Sequence, residues 1–299
     1  MAKTVAKKTA ASKPKSNTKQ AFSEMPRVAL PGSNRPALAG STADTRLKAR
    51  AQITVSVIVR RKQSIPASAI EGGVHLSRAQ YRASHGADPE AVKAVTAFAK
   101  EFGLSAAAEP ARRTVFVTGT VSDLQTAFGV MLYPHTADGQ TLRLRRGDIC
   151  LPESLIPYVE AVLGLDNRPQ TVPHFRVVEP RASSASFTPV QVAQLYKFPT
   201  GGAKGQTIAL IELGGGFRAA DITAYFKALG VAAPKVTAVL VDKAKNAPTT
   251  ADGADGEVML DIDVAGGAAP GANIAVYFAP NTDQGFVDAI TTAIHDTAN

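Results

Sequence analysis

Glu257 and Asp261 stand four residues apart in Gly256-Glu257-Val258-Met259-Leu260-Asp261-Ile262-Asp263-Val264-Ala265-Gly266, a run that is otherwise apolar. In a helix this spacing puts both carboxylates on one face, one turn apart. Two carboxyl groups that close resist double ionisation, so one pKa rises and the pair can hold a shared proton. That is the chemistry of general acid–base catalysis at acidic pH. The bland reading of such a pair is an exposed acidic face. Against it, Val258, Leu260, Ile262 and Val264 would bury several faces of the same helix. Asp263 lies two positions from Asp261, hence on a different face, and is expected to be solvated.

A second pattern points elsewhere. In Glu212-Leu213-Gly214-Gly215-Gly216-Phe217-Arg218-Ala219, the residues Gly214, Gly216 and Ala219 fit the G-x-G-x-x-G/A spacing of a phosphate-cradling turn, and Asp242 follows the next strand. Such parts could hold a nucleotide pyrophosphate and ribose. Glu212 would place a negative charge beside those phosphates, and three adjacent glycines meet the pattern by chance. The alternative is a tight strand-to-helix turn. The one cysteine, Cys150, excludes an internal disulfide framework and reads as a small apolar residue. His75, His85, His135, His174 and His295 are scattered and show no zinc-type spacing, so each is expected to be structural or exposed, with His85 in a turn.

The elements that must position these groups fall into two rhythms. Between residues 51 and 166, the β-branched run Ala51 to Arg60 reads as a strand and Thr114 to Thr120 as another. Asp88-Pro89-Glu90 supplies an N-cap and a first-turn proline for a helix ended by Gly103. A second short helix, Val121 to Phe128, is closed by Gly129, and segments near 131–145 form a hairpin. Strands alternating with two helices predict an α+β sandwich of the split-βαβ, ferredoxin-like type. From about Phe187 the rhythm becomes strand–helix–strand, with strands near 206–213, 235–241 and 273–278 and helices at 218–229, 256–266 and 282–296. That alternation predicts a parallel sheet with helices on its faces. Three such strands leave a sheet poorly covered, so the chain reads as the front part of a longer protein. Residues 167–186 are polar and Pro-bearing between the two rhythms, and are expected to form an exposed linker.

Charge is distributed unevenly. Residues 1–50 hold eleven Lys/Arg and two Asp/Glu, whereas the other 249 hold twenty-two and twenty-three. The basic excess therefore belongs to a Lys/Ala/Ser/Pro-rich stretch, expected to be a disordered leader. No basic folded face with aromatic partners appears, which argues against nucleic acid as a partner. The 45% hydrophobic and 19% charged content suits an ordinary globular chain. No apolar run approaches the roughly 18–20 residues that span a bilayer, and the N-terminus lacks the apolar core of a standard secretory signal.

Asp255-Gly256-Glu257-Val258-Met259-Leu260-Asp261 and Ala269-Pro270-Gly271-Ala272-Asn273-Ile274-Ala275-Val276-Tyr277-Phe278-Ala279-Pro280-Asn281-Thr282-Asp283 closely resemble the sedolisin family of serine-carboxyl peptidases. The likeness extends through Ile208–Gly216, Val162–Asp166, Arg168-Pro169, Pro173-His174-Phe175-Arg176 and Ala83–Ala87. The resemblance implies an activation prodomain over 51–166 and, over 187–299, the N-terminal part of a subtilisin-like α/β catalytic domain. It implies Glu257 as the general base in place of histidine, Asp261 as its proton-sharing partner, and Glu212 as an extension of the proton relay. Protein or peptide substrates, secretion and a calcium site follow from the same likeness, the calcium loop falling beyond Asn299. The family's nucleophile sits in a Gly-Thr-Ser context that occurs nowhere in these 299 residues, so the chain alone is expected to be inactive. A prodomain-like inhibitor or chaperone acting in trans is the rival reading. The linker's composition predicts processing between Glu179 and Ser186. N-terminal sequencing of acid-treated full-length protein should find a new terminus there, and its absence would refute the assignment.

Overall fold

The computed structural model describes residues 20–41, 47, 50–137, 140–172, 186–200, 202–250 and 253–299. In the first unit, β1 (Arg27–Ala29) is followed by β2 (Gln52–Val59), α1 (Ala67–Glu71), α2 (Arg78–His85) and α3 (Pro89–Glu101). Then come β3 (Ser105–Glu109), β4 (Thr114–Thr120), α4 (Val121–Phe128), the hairpin β5 (Leu132–Ala137) and β6 (Gln140–Arg145), β7 (Cys150–Pro152) and β8 (Val159–Leu163). Helix starts follow their local chemistry. The Asp88 side chain accepts from the Glu90 N–H, 2.9 Å away, and Pro89 opens α3. Thr120 caps α4, and Gly129 ends it in the left-handed region at φ 59°.

β2, β3, β4 and β8 form one antiparallel sheet in the order β3-β4-β2-β8. That order, with α3 and α4 as crossovers, is what a split-βαβ arrangement requires. Period-two alternation splits β2 cleanly: Val55, Val57 and Val59 face the core, while buried Ser56 points to the opposite side. The core side is closed by Val95, Phe98, Leu124 and Phe128, with Phe98 and Phe128 edge-to-face at 5.6 Å.

The stretch before residue 50 departs from expectation. Residues 20–41 are not a solvated leader. Phe22 lies in the same core, edge-on to Phe98 at 5.9 Å. Leu30 is 3% exposed, and β1 pairs antiparallel with β7. Arg27 donates to the Thr126 and Ala127 carbonyls at the end of α4 and to Cys150 O, satisfying helix-end acceptors with a cation. The composition of 1–50 is an average that hides this apolar stretch.

In the second unit, α5 (Pro189–Leu195) leads to β9 (Thr207–Glu212), α6 (Ala219–Leu229), β10 (Val236–Leu240), α7 (Ala254–Ala268), β11 (Asn273–Phe278) and α8 (Asp283–His295). The three strands are parallel in the order β10-β11-β9. β11 is buried on both faces: Ile274, Val276 and Phe278 meet α6 and α7, and Ala275, Tyr277 and Ala279 meet the side of α8. Gly266 lets α7 approach α6, since a Cβ there would stand 2.6 Å from the Phe226 ring. Among the described residues no helix is long and apolar enough to cross a membrane.

The free face of the first unit's sheet rests on α8. Ser56 Oγ donates to Asp288 Oδ2 at 2.7 Å, and Arg112 Nη2 donates to Asp288 Oδ1 at 3.1 Å. Arg35, from the stretch before residue 50, pairs with Asp283 at the start of α8, and Arg78 Nε reaches the Ile294 carbonyl near its end at 2.8 Å. The proposed processing segment lies, apart from Ser186, outside the described residues. Because Phe22 fills core space, Phe22→Ala should lower the urea-unfolding free energy of the chain by about 3 kcal/mol. A change under ~0.5 kcal/mol would restore the solvated-leader reading.

Candidate active site

Glu212 ends β9 at the C-terminal edge of the parallel sheet, where α/β folds open their ligand crevices. Its carbonyl accepts from Ala279 N at 2.9 Å, which ties the end of β9 to the residue just past β11. Its side chain is 6% exposed, and Oε1 has no hydrogen-bond partner among the described residues. Glu257 occupies the first turn of α7, half-buried. Both glutamates line a single cleft of about 330 Å³, shared with Gln170, Thr171, Gly214 and Asn281.

Asp261 follows one turn along α7, as its spacing requires. It is exposed and does not line the cleft, but its charge acts on Glu212. Burial chiefly, then Asp261, then Glu257 push the Glu212 carboxyl up to about 8. Asp261 is itself raised, by partial desolvation and then by Glu257, with water screening the effect on its outer side. The result is a carboxyl that keeps its proton near neutrality, placed beside two other acids. Such a trio can accept one proton and pass another.

Three other acids depart from expectation or were missed. Asp263 is not solvated: Oδ1 is buried without a partner among the described residues, and burial raises the carboxyl to about 6. It sits on the α7 face turned toward Tyr225, whose hydroxyl it also raises. Asp255, 4% exposed, precedes Glu257 by two positions and accepts a hydrogen bond from Thr249 N. Nothing in the local pattern separates it from a solvated first-turn acid. Asp242 does not stand with the glycine turn as a nucleotide reading needs. It keeps its outer side in water, while its carboxyl turns to Asp288 and is raised to about 7 by burial and by that neighbour. The room around the glycines is taken by protein. A Cβ on Gly215 would lie 2.7 Å from the Ala254 carbonyl carbon, and one on Gly216 2.5 Å from Asn246 Oδ1. The tight-turn reading accounts for them.

Among the described residues no histidine lines the cleft. His85 is 8% exposed, ends α2, and has Nδ1 2.8 Å from Gln63 O. Among the described residues no group of three or more His, Cys, Asp or Glu is arranged to hold a metal ion. Asn281 was missed for a physical reason: an asparagine one residue before the helix cap Thr282 looks like an ordinary loop residue.

An antiparallel four-stranded unit is thus seated on a parallel-sheet unit that carries three clustered acids. Residues 40–168 match the family described as "Pro-kumamolisin, activation domain". The chain is 45% identical over 267 residues to kumamolisin from Bacillus sp. (strain MN-32), covering 82% of this chain and 48% of that protein. It is 27% identical over 307 residues to tripeptidyl-peptidase sed5 from Aspergillus fumigatus, covering 89% of this chain and 52% of that one. The chain thus spans about half the length of these relatives. It belongs to the sedolisin family, as a kumamolisin-like precursor.

The raised Glu212 pKa has a signed consequence. The folded chain holds this proton more tightly than an ordinary glutamate at 4.5, so its contribution to stability is complete below about 4.5 and is lost as pH rises to about 8. Glu212→Gln should therefore flatten the fall in unfolding free energy over that window, by up to ~1.4 kcal/mol per pH unit. Urea midpoints at a series of pH values test this, and an unchanged slope would show that Glu212 ionises normally.

Proposed function

We propose that the chain carries the activation domain and the leading part of the catalytic domain of an acid-active endopeptidase, with Glu257 as general base, Asp261 as its proton-sharing partner and Glu212 extending the relay. The observation that carries this reading is the cleft: Glu212 and Glu257 come from different elements, face one space, and are coupled by charge to Asp261. A base built from carboxyls works only while the set holds part of its protons, which places activity at acidic pH. Glu257 takes the proton of the attacking serine hydroxyl. Asp261 shares it, and Glu212, buried with its own proton, stabilises the half-protonated state. The parallel sheet with helices on both faces is in keeping with the start of a subtilisin-like domain.

The serine and the oxyanion-stabilising aspartate have no counterpart in these 299 residues, where no Gly-Thr-Ser occurs. Without nucleophile or oxyanion donor the transition state loses its main support, so this stretch alone is proposed to leave peptides intact. The family's calcium site is assigned to the part of the relatives that the chain does not span, and no step here depends on it. The first unit serves as inhibitor and folding aid. In support, it grips α8 along its length, and the segment leaving it runs beside the acidic cleft. Substrates are proteins or peptides, and the mature enzyme is proposed to act outside the cell.

A chimera tests the base directly. This chain would be continued by the half of kumamolisin that it does not span, and hydrolysis of a casein substrate measured at acidic pH. Glu257→Gln should lower kcat by about a hundredfold to ten-thousandfold. A variant within twofold of the parent would remove Glu257 from the mechanism.

A further inference from the structure

Arg145, the last residue of β6, is a buried cation with more donors than partners. It is 5% exposed, and among the described residues its guanidinium has one acceptor, the Gly147 carbonyl, reached from Nη1. The acids nearby are spent on other donors. Asp166 accepts from the Arg145 main chain at 2.8 Å, but its carboxylate is taken by the Arg168 guanidinium at 2.7 Å. Asp283 is paired with Arg35 and also accepts from Gly164 N at 3.2 Å. Arg143, on the same face of β6, gives its side-chain donors to the Gly164 and Leu165 carbonyls.

The guanidiniums of Arg35, Arg143, Arg145 and Arg168 therefore gather around the carboxylates of Asp166 and Asp283, and cations outnumber anions two to one. Burial first, and then the Arg35 charge, loosen the hold of Arg145 on its proton, while Asp166 and Asp283 oppose this. Buried positive charge in excess of its counter-charge is costly, and carbonyl dipoles offset only part of that cost.

This excess borders a cavity of about 110 Å³, formed by the loop 30–35, Arg145 and Ile149, β8 and Asp283 at the start of α8. The volume is about three to four waters' share of liquid, room for a tetrahedral oxyanion but for little attached to one. Ser33 Oγ, on the same cavity, accepts from Ile149 N at 2.9 Å and keeps its own proton to donate. The two acids that line the space are already engaged, Asp283 by Arg35 and Glu160 by Arg113 at 2.8 Å. Buried Leu30 and Ile149 make dry walls, which strengthen any charge-assisted bond formed there.

We propose that this cavity binds a small free oxyanion of the sulfate or phosphate class, held by the Arg145 and Arg35 guanidiniums and the Ser33 hydroxyl. Planar guanidinium forks suit such an anion and take two of its oxygens at once. The walls come from the stretch before residue 50, from β8 and from the first residue of α8, so the anion sits where the two units meet. Binding there favours the docked arrangement by mass action. The inference is independent of the peptidase reading.

The test titrates the whole 299-residue chain, labelled with ¹⁵N, at fixed ionic strength with sulfate, phosphate, chloride and O-phosphoserine. Sulfate and phosphate should shift the Arg145 Nε–H resonance saturably, with a Kd in the millimolar range or tighter. Chloride, which cannot span two forks, and O-phosphoserine, whose attached chain exceeds the room, should each bind about tenfold or more weakly than sulfate. Sulfate at ten times its Kd should also slow amide exchange at Gly164, which donates to Asp283 beside the cavity, by about tenfold. Arg145→Met should lose that slowing, whereas Arg146→Met, an exposed neighbour lying over the Tyr133 ring, should keep it.

Absence of a saturable shift at Arg145 in the unaltered chain would overturn the proposal, whether or not Arg145→Met folds. So would a full sulfate response in Arg145→Met, or chloride or O-phosphoserine binding as tightly as sulfate. No readout involves hydrolysis, so the anion site and the assignment of Glu257 as base stand or fall separately.

Discussion

Glu212 is an acid in a place that cannot solvate its charge, and the candidate site depends on that. One oxygen is buried without a partner among the described residues, and two further carboxylates add to the cost of ionising it. A β-strand ending under a helix N-terminal turn creates this position. β9 delivers the carboxyl to the sheet's C-terminal edge, and α7 lays Glu257 and Asp261 beside it. Burial supplies the larger part of the shift, and the neighbouring charges add to it. Desolvation therefore turns one member of an acidic patch into a carboxyl that keeps its proton near neutrality.

A similar physical device recurs where the two units meet. Asp288 is fully buried on α8, yet it accepts from Ser56 and Arg112 of the first unit. Asp242 turns its carboxyl to the same spot and is raised to about 7, so the two acids share a proton more readily than separate carboxylates while Arg112 faces them. The guanidinium offsets the carboxylate charge that this buried interface carries. Arg35 and Arg78 hold the two ends of α8, so three arginines from separate stretches of the first unit grip a single helix. The docking is polar because the free face of the four-stranded sheet presents Ser56 where its core face presents valines.

Much of the fold was legible because its signals are local. Valines alternating through β2, Asp88-Pro89 opening α3, Gly129 closing α4 and the β–α rhythm after residue 187 each placed an element close to its observed bounds. The i, i+4 pair on α7 was legible for the same reason, since helix geometry alone brings Glu257 and Asp261 together. Averages misled. The basic composition of residues 1–50 concealed Phe22, Leu30 and β1, which pack on partners far along the chain. Asp263 was assigned to solvent from its helical position, which fixes a direction but says nothing of what lies in that direction. The glycines of 214–216 fitted a phosphate pattern, and the helix and loop packed against two of them supply the actual reason for their size.

What the sequence determined by itself is the kind of chemistry available: carboxyls at helical spacing, a third acid at a strand end, and two successive folding rhythms. These are properties of neighbours along the chain, and short-range geometry governs them. The tertiary structure decided which carboxyl would be starved of water, which acids from separate elements would meet, and which side-chain amide would face a passing backbone. Glu212 and Glu257, Asp242 and Asp288, and Asn281 and Thr171 are each far apart in sequence. Desolvation and Coulomb coupling depend on distance and burial in space, and packing sets both.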